Sequence, residues 1–91
     1  MNFSEALELI KQGKKLSRSN WNGKGQFVYF VPGSKFIVNR APLLGIYPEG
    51  TEIAYHAHID IKTVSSPDQT CCGTWFPSMG DVMAEDWEIV E

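Results

Sequence analysis

The sequence predicts an α+β fold in which an N-terminal amphipathic helix packs on a small antiparallel β-sheet, with a short helical turn before the C-terminal strand. Three observations predict it. Apolar residues recur at helical spacing at the start of the chain, alternation typical of strands follows, and Pro- and Gly-containing turns separate the strands. The 91 residues are expected to form one domain over residues 1–91.

The first helix has a start signal, an apolar face and a stop signal. Asn2 followed by Glu5 fits a capping box, and Gly13 is a natural C-terminal stop. The face that packs on the sheet is formed by residues at helical spacing: Phe3, Ala6, Leu7 and Ile10.

Two strands and a hairpin are predicted next. Residues 15–18 and 26–31 are predicted strands, the second rich in β-forming side chains. Pro32 and Gly33 occupy the middle positions of a turn at residues 31–34, as a type II turn requires. Residues 36–39 are therefore expected to return antiparallel to the second strand.

The second half of the chain contains the clearest alternation. After a turn at residues 47–50, apolar and polar residues alternate over residues 52–62, which predicts one strand with a core face and a polar face. Residues 65–70 are expected to form a loop or hairpin tip, across which residues 73–76 pair back. Ser78, with Asp81 three residues later, starts a predicted helical turn over residues 78–85, and residues 87–90 form the terminal strand.

The charge is unevenly distributed. Residues 1–40 hold seven Lys or Arg against two Glu, whereas residues 41–91 hold one Lys against nine Asp or Glu, in a chain of net charge −3. The two halves, or two subunits, should therefore attract each other, although two solvated faces explain the pattern equally well. An acidic total argues against a protein that coats a nucleic acid polymer.

The sequence shows neither a membrane span nor a signal peptide. No apolar run approaches the length of a membrane span, and the charged first fifteen residues do not resemble a signal peptide, so a soluble protein without a membrane partner is expected. The cysteines Cys71 and Cys72 are adjacent, so a bridge between them would be strained, and they are interpreted as reduced thiols.

The pentad from Trp21 to Gly25 is the strongest functional feature. Trp21 supplies a flat aromatic surface, Asn22 an amide and Lys24 a cation, while Gly23 and Gly25 allow backbone N–H groups to approach a phosphate. This combination suggests a nucleotide pocket. The alternative is an ordinary entry into a hairpin or turn.

The candidate ligand residues, with those of the pentad included, fall into three groups according to the part of a nucleotide that they suit. Each has core packing, an interface, capping or a solvated surface as its alternative. The rings that can stack on a base are Trp21, Tyr29, Tyr47 and Trp75; the polar groups that can bind ribose hydroxyls or a base edge are Asn22, Asn39, Asp60, Ser78 and Asp81; the cations nearest to a phosphate are Lys24 and Arg40.

Catalytic patterns are weaker. His56, His58 and Asp60 would project from one strand face and could supply three metal ligands, but a polar sheet face or a ligand-contacting role explains them better. No spacing positions Cys71 or Cys72 beside a histidine as a nucleophile. The sequence therefore favours recognition without chemistry.

Motifs spread over essentially the whole chain are shared with one known family. They are MNFSEAL (1–7), QGKK (12–15), WNGKG (21–25), VPGS (31–34), VNR (38–40), PLL (42–44), HIDIKT (58–63), WFPSMGDVM (75–83) and AEDW (84–87). In these motifs the chain resembles the second family of Thoeris anti-defence proteins.

The resemblance implies a function. Phages and prophages carry this family to block Thoeris immunity, in which a bacterial TIR enzyme makes a cyclic ADP-ribose isomer that activates a killing effector. The family acts as a sponge: a homotetramer of small α+β subunits holds glycocyclic ADP-ribose, as the 1″-3′ or 1″-2′ isomer, in recesses between subunits without cutting it. Some members also hold cyclic di- or trinucleotides of CBASS immunity at separate places. No catalysis and no cofactor are implied, and the site of action would be the cytoplasm of the infected bacterial host.

The resemblance also assigns residues. Trp21 and Trp75 match aromatics placed against adenine or beside the pocket, and Asn39 and Asp81 match positions suited to ribose hydroxyls. Residues matching the segment that meets phosphates, or the cyclic oligonucleotide site, are Asn22, Gly23, Lys24 and Arg40. Two other classes stay open: a nucleotide-cleaving enzyme, and a protein-binding inhibitor of the TIR enzyme or its effector.

Overall fold

The computed structural model describes the backbone of residues 1–21, 25–66 and 69–91, and the side chains of those residues except 64–66 and 69. The elements are α1 (Phe3–Lys11), β1 (Lys15–Arg18), β2 (Phe27–Val31), β3 (Ser34–Ile37), a 3₁₀ turn (Leu43–Gly45), β4 (Glu52–Tyr55), β5 (His58–Ser66), β6 (Gln69–Thr74), α2 (Met79–Met83) and β7 (Trp87–Val90). They form a five-stranded antiparallel sheet in the order β6-β5-β2-β1-β7 and a two-stranded sheet of β3 and β4. The predicted α+β class is confirmed.

Helix α1 begins as the sequence predicts. The Asn2 side chain accepts a hydrogen bond from the Glu5 N–H at 3.0 Å, and the Glu5 carboxylate accepts from the Asn2 N–H at 3.3 Å. Beyond its end, Gly13 has φ +97°, a conformation that glycine adopts at little steric cost. Ala6 and Ile10 are fully buried against the sheet. Neither helix in the described part of the chain is long and apolar enough to cross a membrane.

The core lies between α1 and one face of the large sheet. Its buried residues are Ala6, Ile10, Leu16, Val28, Trp75 and Trp87. The centroids of three rings, those of Phe3, Trp75 and Trp87, lie 5.5–5.9 Å from one another in tilted or edge-on contacts. Because each aromatic side chain removes a large apolar area from water, these rings are a major source of the stability of this small core.

The predicted hairpin between the second strand and residues 36–39 is wrong. Strand β3 pairs with β4, in a register that places Phe36 opposite Ile53. Strand β2 has no free edge to offer, because β1 occupies one side and β5 the other. The predicted type II turn is also wrong, because Gly33 does not have the positive φ that its position in such a turn requires. Residues 32 and 33 instead lead the chain out of the large sheet.

The predicted single strand over residues 52–62 is divided in two. Strand β4 belongs to the small sheet and β5 to the large one, with His56 and Ala57 between them. Before this break the predicted core face is wrong, because Tyr55 is 54% exposed. After the break it is confirmed, because Ile59 and Ile61 pack against the core.

The C-terminal elements follow the prediction with shifted bounds. The predicted loop at residues 65–70 is mostly strand, since β5 continues through Ser66 and β6 resumes at Gln69; residues 67 and 68 lie outside the described residues. Strand β6 pairs antiparallel with β5 as expected, and the Trp75 N–H donates to the Ile59 carbonyl at 2.9 Å. The predicted helical turn and terminal strand are confirmed as α2 and β7, with α2 ending at Met83.

Residues 32–57, which we call the arm, carry the small sheet away from the core. The molecule measures 46 × 31 × 24 Å, and its radius of gyration of 16.2 Å exceeds the value of about 12 Å expected for a compact chain of this length. Inside the arm Val38 is buried, but several large apolar side chains are exposed: Ile37, Leu44, Ile46, Tyr47 and Tyr55. Clustered exposure of large apolar side chains is typical of contact surfaces.

Candidate functional site

A charged cluster lies where β1, α2 and the start of β7 meet. The guanidinium of Arg18 donates from Nε to Asp86 Oδ1 and from Nη1 to Asp81 Oδ1, each at 2.8 Å. The other oxygen of Asp86 accepts from the Asn20 N–H at 3.0 Å and from Ser19 Oγ at 3.3 Å. The cluster thus joins β1 to α2 and β7, which follow it more than 60 residues later in the sequence.

Asp81 links this cluster to the first turn of α2. Its N–H donates to Ser78 Oγ at 3.1 Å, and its Oδ2 accepts from the Ser78 N–H at 3.0 Å, which forms a capping box at the predicted start of this helix. Partial burial disfavours the charged carboxylate, but hydrogen bonds from Arg18, Ser78 and Trp21 outweigh it and lower the pKa of Asp81. Asp81 is therefore an ionised acceptor at neutral pH.

The Trp21 indole lies at the edge of this cluster. Its Nε1–H donates to Asp81 Oδ1 at 3.4 Å, its ring meets Trp87 edge-on at a centroid distance of 5.3 Å, and its backbone N–H donates to the Arg18 carbonyl at 3.1 Å. The side chain is only half-buried. A half-buried ring held at its edges can stack against a flat ligand.

Trp75 has a different environment. It is 9% exposed and packs inside the core against Phe3 and Trp87. It supports the rings behind Trp21 rather than presenting an open face. Three members of the pentad, Asn22, Gly23 and Lys24, follow Trp21 directly but lie outside the described residues.

A second group of predicted residues lies on the arm. Asn39 and Arg40 are exposed after β3 and line a concavity of about 520 Å³ that extends from Phe36 to Leu43. Hydrogen bonds of Val38 with Thr51 and Gly50, each 2.9–3.0 Å, close the loop that carries them. Tyr47, 44% exposed, lies on the same loop. No hydrogen bond or ion pair within the described residues joins Asn39 or Arg40 to Trp21 or Asp81.

Asp60 lies in a third place, on the face of the large sheet opposite α1. Its Oδ1 is 3.2 Å from His58 Nε2, and it faces Tyr29 across the β2–β5 ladder. Hydrogen bonding with the neighbouring Cys72 side chain, partial burial and the charge of Asp60 raise the pKa of Tyr29 to about 12. Tyr29 is therefore a protonated phenol at physiological pH.

The three-ligand arrangement considered for His56, His58 and Asp60 does not form. The break between β4 and β5 separates His56 from the other two, and its carbonyl oxygen lies 3.1 Å from His58 Nδ1. Among the residues that the structure describes, no group of three His, Cys, Asp or Glu side chains could hold a metal ion.

Comparison with known proteins matches this chain to a phage protein family. The model of the family described as the Thoeris anti-defense 2-like domain matches residues 1–90. The chain belongs to this family. It is 38% identical to Thoeris anti-defense 2 of Bacillus phage SP01 over 90 residues, which cover 99% of this chain and 94% of that protein. The resemblance found in the motifs is confirmed, and membership supports a phage anti-defence role against Thoeris immunity.

Three residues of this Thoeris anti-defense 2-like protein were missed as site residues by the sequence analysis. The Arg18 guanidinium forms a fork of two hydrogen bonds, one to Asp86 and one to Asp81, and Trp87, 2% exposed, supports the Trp21 ring. One signal pointed toward them: the basic first part of the chain and the acidic second part attract, and this fork is one place where they meet.

Proposed function

We propose that this protein captures the cyclic ADP-ribose isomer made by a Thoeris TIR enzyme and holds it without cutting it, in a site completed by a second copy of the chain. It would act in the cytoplasm of the infected bacterial host, where that signal is made. Family membership supports the anti-defence role, and the distribution of the candidate residues supports the mechanism.

The separation of the candidate residues into two groups carries the proposal. Trp21, Ser78 and Asp81 lie together on the body of the molecule, whereas Asn39 and Arg40 lie on the arm. Each group alone offers only part of what a dinucleotide-like ligand needs: the first a ring and acceptors, the second a cation and an amide. A second copy that lays its arm beside the body would combine them.

Exposed apolar side chains beside both groups support such a contact. Next to the body group, Phe76, Met79 and Met83 are 84%, 75% and 73% exposed, and next to the arm group Ile46 is 67% exposed. Charge is also complementary, because the carboxylates of Asp81 and Asp86 share the single guanidinium of Arg18 and Arg40 would bring a second cation. Closed assemblies such as a homotetramer bury surfaces of this kind.

Each group has a role in the proposed complex. The adenine stacks on Trp21, with Trp75 behind it in the core, and Tyr47 adds a second aromatic surface from the arm. Ribose hydroxyls donate to Asp81 and Ser78 or accept from the Asn39 amide. Arg40 binds the phosphates, together with Asn22, Gly23 and Lys24 if the pentad segment adopts the phosphate-binding arrangement that its composition suits. The residues predicted from sequence that take part in this complex are Trp21, Asn22, Gly23, Lys24, Asn39, Arg40, Tyr47, Trp75, Ser78 and Asp81.

Asp60 is not used in this arrangement. It lies on the open face of the large sheet with His58, and its predicted contact with ribose hydroxyls stays a prediction. The same holds for binding of cyclic di- or trinucleotides at separate places.

Tight capture by such a site requires preorganisation. A dissociation constant near 1 nM corresponds to about −12 kcal/mol, whereas base stacking contributes about 1–3 kcal/mol and each charge-assisted hydrogen bond about 1.5–3 kcal/mol. These gains suffice only when little must be ordered on binding. The capping box of α2 and the Arg18 fork hold Asp81 in place before ligand arrives.

A protein-binding inhibitor is the second candidate function. The exposed apolar surface of the arm, including Ile37 and Tyr55, would suit a TIR enzyme or an effector as well as a second copy. A nucleotide-cleaving enzyme would use the His58–Asp60 pair on the open sheet face.

The test is capture followed by release. The purified protein is incubated with each isomer of glycocyclic ADP-ribose, unbound ligand is removed by filtration, the protein is denatured by heat, and the released material is identified by mass spectrometry. Intact ligand is expected. Trp21→Ala should weaken capture about tenfold or more, because it removes the stacking surface, while Trp21→Phe keeps a ring against Trp87 but loses the N–H that binds Asp81, and should weaken capture less than Trp21→Ala does. Ligand left entirely in the filtrate would favour the protein-binding inhibitor, and an altered product would mean an enzyme.

A further inference from the structure

We propose that Arg18 is the positioning residue of the ligand site: through Asp81 it fixes the orientation of the Trp21 indole. The inference rests on the proposed function, since it concerns how the same site is preorganised. Arg18 itself is not assigned a contact with the ligand.

The fork of Arg18 sets the distance between two elements. Its Nε and Nη1 donate to different carboxylates, Asp86 before β7 and Asp81 in α2, at 2.8 Å each. A guanidinium is planar and rigid, so the two donors hold both carboxylates in one geometry relative to β1. The side chains of Arg18 and Asp81 are only 16% and 13% exposed, which limits competition from water.

The restraint passes from Asp81 to the ring. Oδ1 of Asp81 accepts from Arg18 Nη1 at 2.8 Å and from Trp21 Nε1 at 3.4 Å. The indole has only one N–H donor, so this contact fixes the rotation of the ring against Trp87, which it meets edge-on. The Arg18 carbonyl also accepts from the Trp21 N–H at 3.1 Å. Arg18 therefore holds both the backbone and, through Asp81, the side chain of Trp21.

Lysine cannot reproduce this role. Its ammonium is a single point charge at the end of a flexible chain and cannot offer two donors in a rigid fork. Arg18→Lys keeps the charge near Asp81 and Asp86 but releases the geometry. The variant therefore separates positioning from simple charge balance.

The experiment uses the full chain labelled with 5-fluorotryptophan. The labelled protein gives one ¹⁹F resonance for each of its three tryptophans. Trp21→Phe assigns the Trp21 resonance. In Arg18→Lys we expect this resonance to shift or broaden while that of Trp75, which has no contact with Trp21 or Asp81 among those described, stays in place. Ligand capture should weaken about tenfold, the scale of the loss when a residue that orients a metal ligand is removed. Lys15→Gln is the matched control, because it removes a cation from the same strand without a contact to Asp81 and should leave all three resonances unchanged.

Two results would overturn the proposal: an unchanged Trp21 resonance in folded Arg18→Lys, or a shift of all three resonances together, which would make Arg18 a general support of the fold. If Arg18→Lys does not fold, Asp86→Ala removes one of the two acceptors of the fork and should give a smaller shift of the Trp21 resonance; no shift there would equally refute the proposal. The resonance is read without ligand. A wild-type protein that captures no ligand would therefore refute the proposed function and leave this test intact.

Discussion

Asp81 serves three neighbours at once. It caps α2 through Ser78, accepts from the Arg18 guanidinium and accepts from the Trp21 indole. A carboxylate can accept several hydrogen bonds only while it is ionised, so the arrangement depends on its charge. At the scale of single residues, the fold and the proposed site therefore share one ionised group.

This dependence predicts a specific loss of stability in acid. Hydrogen bonds from Arg18 lower the pKa of Asp86, and hydrogen bonds from Arg18, Ser78 and Trp21 outweigh burial and lower that of Asp81. Carboxylates whose folded pKa lies below the unfolded value of about 3.9 contribute stability above that pH and lose it as the pH falls through the folded pKa. The free energy of unfolding should therefore fall as the pH is lowered below about 4.

Denaturant unfolding between pH 7 and pH 3 measures this loss, and Arg18→Gln should make it shallower because the two carboxylates lose the partner that lowers their pKa values. Lys11→Gln is the control, since Lys11 and Glu8 form an exposed ion pair 3.9 Å apart that contributes little. Identical pH profiles for wild type and Arg18→Gln would contradict the prediction.

At the scale of elements, features set by neighbouring residues could be predicted from the sequence, whereas the pairing of strands distant in sequence could not. The caps of α1 and α2 and the strands β1 and β7 could be predicted, because helix caps and strand alternation depend on residues that are close in sequence. The partner of β3 could not. Whether a turn folds back depends on which edges of β2 are free, and β1 and β5 take both, which no local pattern reveals.

Gly33 lies where the chain leaves the large sheet for the arm. A substitution there should show how much close backbone packing at this point contributes to stability. A Cβ there would lie 2.8 Å from the Tyr55 carbonyl oxygen and 3.3 Å from the Ala57 nitrogen, so the backbone must shift in Gly33→Ala. We expect the free energy of unfolding to fall by about 1–3 kcal/mol. The midpoint of thermal unfolding should fall by about 4–8 °C for each kcal/mol lost. Gly45→Ala is the matched control on the same arm, because its Cβ would meet nothing within 4 Å. Equal midpoints for the two variants would show that the arm tolerates the shift.

At the scale of the whole molecule, the elongated shape and the divided site have one explanation. The arm extends from the body and exposes apolar side chains, and it carries Asn39 and Arg40 apart from the Trp21 group. Sequence patterns could name the candidate residues because stacking and phosphate binding require particular side chains. They could not show which of these lie together, since that depends on a break after Tyr55 and, in our proposal, on contacts between copies.

The measurement that tests this account most directly is complementation between two weakened variants. Trp21→Ala alters the body and Arg40→Ala alters the arm, and capture of glycocyclic ADP-ribose is measured at a ligand concentration that saturates the wild-type protein but leaves either variant largely unbound. When the two are unfolded together and refolded in equal amounts, random pairing should restore about one quarter of the wild-type sites, because one site in four combines an intact body with an intact arm. Refolding each variant alone provides the background. Recovery near that fraction would establish a site shared between copies, whereas no recovery in a mixed assembly, with wild type still active, would place both residues in the same subunit's site and contradict the account.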